Sequence, residues 1–143
     1  MQSWQLIPFI GIECHLGLLR IGMAIEEVEA IIGNNCFYLT DNIGETGCSL
    51  RNHYEYEDNY KLDSIEFFDG SLRFEDIELC NTNISDLTKS FQLKGYNLYY
   101  PSTIDVGQFC PELCIGITCD GDVGGETNNV EFVTIYHNIP ALW

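Results

Sequence analysis

The chain has 143 residues, of which 45% are apolar and 13% aromatic, so it can bury a core and is too hydrophobic to be a disordered acidic tail. Its 22 Asp and Glu face only six Lys and Arg, which leaves a formal net charge of −16. Because neutralising phosphates requires a basic patch, this charge excludes direct nucleic-acid binding and favours a basic partner or a cation.

The amino terminus predicts a protein without an export signal or a membrane span. Residues 1–10 lack the basic region and the small-residue cleavage site of a signal peptide, and no apolar run approaches about 20 residues. The seven cysteines are an odd number, which favours reduced and mostly buried thiols in a reducing compartment. We therefore expect a soluble cytoplasmic protein that has no membrane partner.

The clearest secondary-structure signal is a short amphipathic helix that ends at Gly33. Ile25, Val28 and Ile32 recur at helical spacing on one face, while positions 26, 27 and 29 place three Glu on the other. Carboxylates in the first turns suit the positive end of the helix dipole, and glycine is a common C-terminal stop.

Four extended segments follow in the first half, at 36–39, 52–58, 61–68 and 71–79. In residues 54–57 and again in residues 65–67, aromatic or apolar side chains alternate with Glu at the period of a strand. Asp69-Gly70 is a strong hairpin signal between the last two segments. These patterns predict an antiparallel meander with one apolar and one acidic face.

The second half repeats the order of helix, glycine and strands. Residues 81–85 offer an N-cap for a helix over residues 86–94, which Gly95 ends. Strand-like segments then occur at 96–100, 113–119 and 130–137, interrupted by glycine- and acid-rich loops near 101–112 and 120–129.

This recurrence predicts the fold class and the domain organisation. We expect an α+β protein of two related helix-plus-antiparallel-sheet modules, residues 1–80 and residues 81–143. The first range holds 15 Asp and Glu against four Lys and Arg, and the second holds seven against two. The first module therefore carries the larger negative charge, about −11 against −5.

Residues 20–33 resemble the opening I-x-x-G-M-T-x-x-E-V-x-x-L-L-G of the small outer-membrane-assembly lipoproteins and of modules like those of β-lactamase inhibitor protein. Gly22 and Met23 match the glycine-methionine pair, and Ala24 stands where the family usually has Thr or Ser. The resemblance implies that the pair leads into a first helix and that an antiparallel sheet packs on the helices. The lipoprotein role is disfavoured, because the chain lacks a signal peptide and a lipobox cysteine near its start.

The chain also resembles the small, acidic, cytoplasmic bacterial immunity proteins that neutralise polymorphic or contact-dependent-inhibition toxins, several of which reuse such α/β modules. This resemblance implies a non-catalytic protein that binds a cognate toxin, a basic nuclease, and occludes its active site or substrate surface. It implies no cofactor. A regulatory adaptor or inhibitor that binds another basic protein is the first alternative.

Catalytic and metal-binding motifs are weak or missing. None of the three histidines lies in H-E-x-x-H, and no serine lies in G-x-S-x-G. Cys110, Cys114 and Cys119 cluster with gaps unlike the paired C-x-x-C of zinc sites, while Asp120 and Asp122 match only part of a calcium loop. A small metal-binding protein that uses these residues is the second alternative, and no catalytic or metal residue is assigned.

Strand alternation and local charge predict the partner-binding residues. Alternation directs part of the acidic residues to the non-core face of the first-module sheet, and the others lie at or near its ends. Six carboxylates are predicted to contact the basic partner: Glu55, Glu57, Asp58, Glu66, Glu75 and Asp76. Candidate aromatic anchors for the same contact are Tyr38, Tyr60, Tyr99, Tyr100 and Trp143.

Overall fold

The computed structural model describes residues 3–33, 43, 47–100 and 107–138. In these residues the fold is α+β and mostly sheet, with two five-stranded sheets and two α-helices. The elements in chain order are β1 (Trp4–Ile7), β2 (Gly11–Cys14), β3 (Gly17–Arg20), α1 (Ile25–Ile32), β4 (Ser49–Glu55), β5 (Lys61–Asp69), β6 (Leu72–Phe74), β7 (Ile77–Glu78), α2 (Ile84–Lys94), β8 (Gln108–Cys110), β9 (Ile115–Cys119) and β10 (Val130–Ile135).

The first sheet has the strand order β3-β2-β1-β6-β7. Its three amino-terminal strands form an antiparallel meander, in which Ile12 lies opposite Leu6 on one side and Leu19 on the other. β1 and β6 run parallel, with Trp4 opposite Leu72. The sequence patterns do not predict this meander, because each of its strands has only four residues.

The second sheet is antiparallel throughout and has the order β4-β5-β10-β9-β8. The predicted strands at 52–58, 61–68, 113–119 and 130–137 correspond to β4, β5, β9 and β10. The predicted strand at 96–100 is reduced to one bridge between Tyr99 and Phe109, and β8 lies within the predicted loop 101–112. The predicted strand at 36–39 falls outside the described residues.

The second sheet joins strands from both halves of the chain. β4 and β5 precede residue 80 and β8, β9 and β10 follow it, with Phe67 of β5 opposite Val133 of β10. Buried residues of both sheets also belong to one hydrophobic cluster, which α1 and α2 join through Val28 and Leu87. Strand pairing therefore does not follow the predicted boundary at residue 80, and the division into two modules stays a prediction.

The predicted hairpin at Asp69-Gly70 is wrong. β5 and β6 lie in different sheets, so these two residues carry the chain from the second sheet to the first. Gly70 has φ +93°, and a Cβ there would lie 2.5 Å from the Cys48 sulfur. The glycine thus serves a close crossover between the sheets rather than a two-residue turn.

Both predicted helices are confirmed. α1 ends at Gly33, whose N–H donates to the Glu29 carbonyl at 2.8 Å. α2 begins after Asn83, whose side-chain oxygen accepts from the Asp86 N–H at 3.0 Å, and it ends at Gly95 with φ +81°. α1 contacts β3 and β5, whereas α2 contacts β7.

The N-cap of α1 predicts a stabilising substitution. Ala24 has the extended backbone of an N-cap but makes no side-chain cap, and its N–H donates to Glu27 Oε1 at 3.2 Å. Ala24→Thr would complete a capping box with Glu27, so we expect the free energy of unfolding to rise by about 1 kcal/mol. Urea unfolding measures this free energy in the variant and in wild type. Ala24→Val, which has the same shape without the hydroxyl, should give no such gain, and equal values for both variants would contradict the capping explanation.

The buried amide of Asn52 predicts a second stabilising substitution. Asn52 is 3% exposed, lies opposite Ile65 of β5, and neither atom of its amide has a hydrogen-bond partner among the described residues. A buried unsatisfied polar group costs about 1–3 kcal/mol, so Asn52→Leu, of similar shape, should raise the free energy of unfolding by that amount. Asn52→Asp buries a charge instead and should lower it. A loss of stability in Asn52→Leu would show that the amide is satisfied.

Candidate functional site

The structure divides the six predicted carboxylates between two sheets. Glu55 ends β4, and Glu57 follows it in a 3-10 turn, Tyr56–Asp58, with both side chains exposed. Asp58 belongs to the same turn, but its side chain lies outside the described residues. Glu66 lies inside β5 of the same sheet. Residues 75 and 76 form the β6–β7 turn of the other sheet. The prediction that all six belong to one sheet is therefore wrong.

Glu66 faces outward, as predicted, but another side chain occupies its carboxylate. Oε1 contacts Nε2 of His53 on the neighbouring strand β4. Arg51 lies directly opposite Glu66 in the register, and its guanidinium carbon is 5.2 Å from the centre of the Phe68 ring. Glu66 is half-buried in this arrangement, so it is less available to a partner than the exposed carboxylates.

Glu75 and Asp76 hold Lys94 from the end of α2. The Lys94 ammonium lies 2.8 Å from Glu75 Oε2 and 3.0 Å from Asp76 Oδ1. The hydrogen bond from Lys94 is the main cause that lowers the pKa of Asp76, and the bonds to Glu75 and then Asp76 raise the pKa of Lys94. All three groups are exposed to solvent, so this network fixes the turn against α2 more than it stabilises the fold.

The exposed carboxylates of the second sheet accompany two aromatic rings. We call Glu55, Tyr56, Glu57 and Tyr60 the acidic hairpin end, because they surround the connection from β4 to β5. The rings of Tyr56 and Tyr60 meet edge to face at 5.1 Å, and the two residues are 77% and 42% exposed. Neither Glu55 nor Glu57 forms an ion pair with another described residue, although Lys61 lies opposite Glu55 in the register.

The aromatic predictions have mixed outcomes. Tyr60, Tyr99 and Tyr100 are exposed, and the Tyr100 hydroxyl accepts from Gln108 Nε2 at 2.8 Å. Tyr38 and Trp143 fall outside the described residues. Tyr56, the most exposed tyrosine of the described residues, is not among the predicted anchors, because alternation with Glu55 and Glu57 assigns its ring to the apolar face. The strand ends at Glu55, so alternation does not extend to this side chain.

The cysteine cluster does not converge on a metal site. Cys110 ends β8 and Cys114 lies in the following turn, but Cys119 is at the far end of β9. A strand rises about 3.3 Å per residue, so Cys119 is about 13 Å along β9 from Ile115, the residue that pairs with Cys110. Asp120 Oδ2 accepts from the Thr127 backbone and hydroxyl, at 3.1 and 3.0 Å. In the described ranges no three His, Cys, Asp or Glu side chains are placed to hold a metal ion.

The six cysteines of the described residues are free thiols, and all but Cys14 are buried. Burial raises the pKa of Cys80 and of Cys110 to about 12, with smaller contributions from nearby carboxylates. The same cause raises the pKa of Cys114 and Cys119 to about 11. These sulfurs therefore carry almost no thiolate at neutral pH and act as small apolar side chains.

Comparisons with known proteins do not identify a family for this chain. None of the described helices is long and apolar enough to cross a membrane. The resemblance of residues 20–33 to the lipoprotein and inhibitor modules stays a prediction. No family model, no curated protein and no solved structure matches this chain.

Proposed function

We propose that this chain is a cytoplasmic immunity protein that binds and neutralises a cognate bacterial toxin, a basic nuclease, without catalysing a reaction itself. The observation that supports the proposal is the acidic hairpin end, where two exposed carboxylates flank two exposed tyrosine rings. Charged residues at a rim steer the encounter of two proteins, whereas buried aromatic anchors slow their dissociation. The hairpin end offers both kinds of group.

The net charge of −16 favours a partner with a basic surface. A nuclease has to present a basic surface to its nucleic-acid substrate, and an acidic protein is attracted to that same surface. Carboxylates seated there occupy the positions of phosphates. Binding would then inhibit by occluding the substrate surface, which requires neither a cofactor nor a catalytic group on this chain.

Co-expression tests the proposal. The test requires a neighbouring reading frame that encodes a large protein with a variable toxic carboxy-terminal domain. That domain is induced in a sensitive bacterial strain, with and without this chain. We expect growth to be restored by the chain, and the purified domain to lose its nuclease activity in proportion to the amount of chain added, until an equimolar complex is formed.

The matched control is a non-cognate toxic nuclease of similar basic charge, which the chain should leave active. Equal inhibition of both nucleases would reduce the effect to unspecific charge attraction and favour the adaptor or general inhibitor of basic proteins. Absence of both protection and complex formation with the cognate domain would contradict the immunity function.

A further inference from the structure

Three turns of this fold lie at one end of the molecule. β1 and β6 are parallel neighbours, so the turn after β1, residues 8–10, and the turn after β6, residues 75–76, are at the same end of the first sheet. The N–H of Ile21 donates to the Ile10 carbonyl at 2.9 Å, and the N–H of Gly22 donates to the Leu62 carbonyl at 2.7 Å. These bonds join that end to the start of β5, which the acidic hairpin end precedes.

The end of α2 completes this region through the bonds of Lys94 to Glu75 and Asp76. We call residues 8–10, 55–60, 75–76 and 93–94 the turn end. The four segments are distant in sequence, so no local pattern brings them together.

Exposed apolar side chains concentrate at the turn end. Of the eight large hydrophobic residues that are exposed in the described part of the chain, five belong to it: Phe9, Ile10, Tyr56, Tyr60 and Leu93. Leu93 is 90% exposed, although it belongs to a helix that buries Leu87 and Phe91. Scattered exposed leucines need no explanation, but apolar residues from two turns and a helix end at one pole indicate an interaction surface.

Two local features favour a surface built for contact. Phe9 has φ +67°, a left-handed backbone that is unusual for a bulky side chain, and the residue is 41% exposed. Beside Leu93, a groove of about 390 Å³ separates α2 from the β6–β7 turn. Ile77, Leu93 and Tyr96 line this groove together with Asp76, Ser90 and Lys94, so it offers both apolar and charged contacts.

The geometry points to the turn end as a protein-docking surface, whose partner presents an apolar centre rimmed by Lys and Arg. The acidic residues of the turn end favour a partner with a basic rim, because opposite charges attract across an interface. These residues include Glu55, Glu57, Glu75 and Asp76. Glu75 and Asp76 already bind one cation of the chain itself, Lys94. That the partner is a toxin rests on the proposed function, whereas the surface itself does not.

The opposite end of the molecule provides a matched control. β9 runs in the same direction as β5, because both are antiparallel to β10, so residues 120–127 lie away from the turn end. This loop is also acidic, through Asp120, Asp122 and Glu126, but its one exposed large apolar side chain is Val123. Charge alone would attract a basic partner to both ends.

A defined basic and aromatic probe tests the surface without a toxin. The probe is an eight-residue peptide of alternating Arg and Trp, titrated into the isotope-labelled chain and followed by the NMR shifts of backbone amides. We expect shifts to concentrate at the turn end, and Tyr56→Ser/Leu93→Ser to weaken binding about tenfold or more, because truncated aromatic anchors cost that much. Val123→Ser should change the affinity less than about twofold.

Octalysine, which has charge without apolar groups, should bind wild type and the double variant alike. Shifts of similar size at residues 120–127, or unchanged Arg-Trp binding in the folded double variant, would overturn the docking surface. In the co-expression assay, loss of protection in the double variant and not in Val123→Ser would extend the result to the toxin. Peptide binding at the turn end without protection by wild type would retain the surface and reject the immunity function.

Discussion

Phe67→Ala is expected to lower the free energy of unfolding by about 3–5 kcal/mol, the usual cost of emptying a buried phenylalanine site. Phe67 is fully buried in the middle of β5, opposite Leu50 of β4 and Val133 of β10. Its removal leaves a cavity at the strand that joins the two halves of the chain. The loss should appear as a lower midpoint in urea unfolding with an unchanged slope.

Phe68→Ala is the matched control, because it removes the same side chain one residue along the strand on the opposite face. Phe68 is half-buried and packs on Phe132 with ring centres 5.0 Å apart, so its loss should cost clearly less. One cooperative transition is expected in both variants. Equal losses would contradict the burial argument, and two separate transitions would show that residues 1–80 and 81–143 are stabilised independently after all.

The helices could be predicted because their signals are local. Gly33 and Gly95 end them as expected, and Asn83 caps the second from the position that the sequence favours. The strands β4, β5, β9 and β10 follow from β-branched and aromatic residues with period two. Each of these signals is contained in about ten consecutive residues.

The strands β1 to β3 and the partition into sheets could not be predicted in this way. Four-residue strands are too short to establish a period, and Gly11 is needed for a feature that only the fold reveals: a Cβ there would collide with the Leu19 carbonyl oxygen. Asp69-Gly70 has the composition of a hairpin, but tertiary pairing of β5 with β10 and of β6 with β1 decides its geometry. Local turn chemistry is compatible with both outcomes.

The candidate site shows the same division. Alternation correctly directs Glu55 and Glu66 away from the core, since Glu55 is exposed and Glu66 is half-buried between two fully buried neighbours in β5. It does not show that His53 engages Glu66 or that Lys94 engages Glu75 and Asp76, because these partners are 13, 19 and 18 residues away in sequence. The distribution of charge was readable from the sequence, whereas the charges still available to a partner depend on tertiary contacts.

The largest functional effect is expected from charge reversal at the acidic hairpin end. Glu55→Lys/Glu57→Lys should slow association with the toxin by about 10-fold or more, within the range that electrostatic steering contributes. The fold should survive, because both side chains are exposed and neither forms an ion pair with a described residue. Stopped-flow mixing measures the association rate, and circular dichroism checks the fold.

Glu126→Lys/Glu131→Lys is the matched control, because it makes the same change in net charge at exposed positions away from the acidic hairpin end. If only net charge matters, both double variants slow association equally; if the hairpin end meets the basic surface, the first slows it much more. Raising the salt from about 50 to 500 mM shortens the Debye length to a few ångströms, so wild-type association should slow while that of the hairpin variant changes little. Association that is independent of salt in all three proteins would reject steering, and a stronger effect of the control variant would move the contact to the opposite end of the molecule.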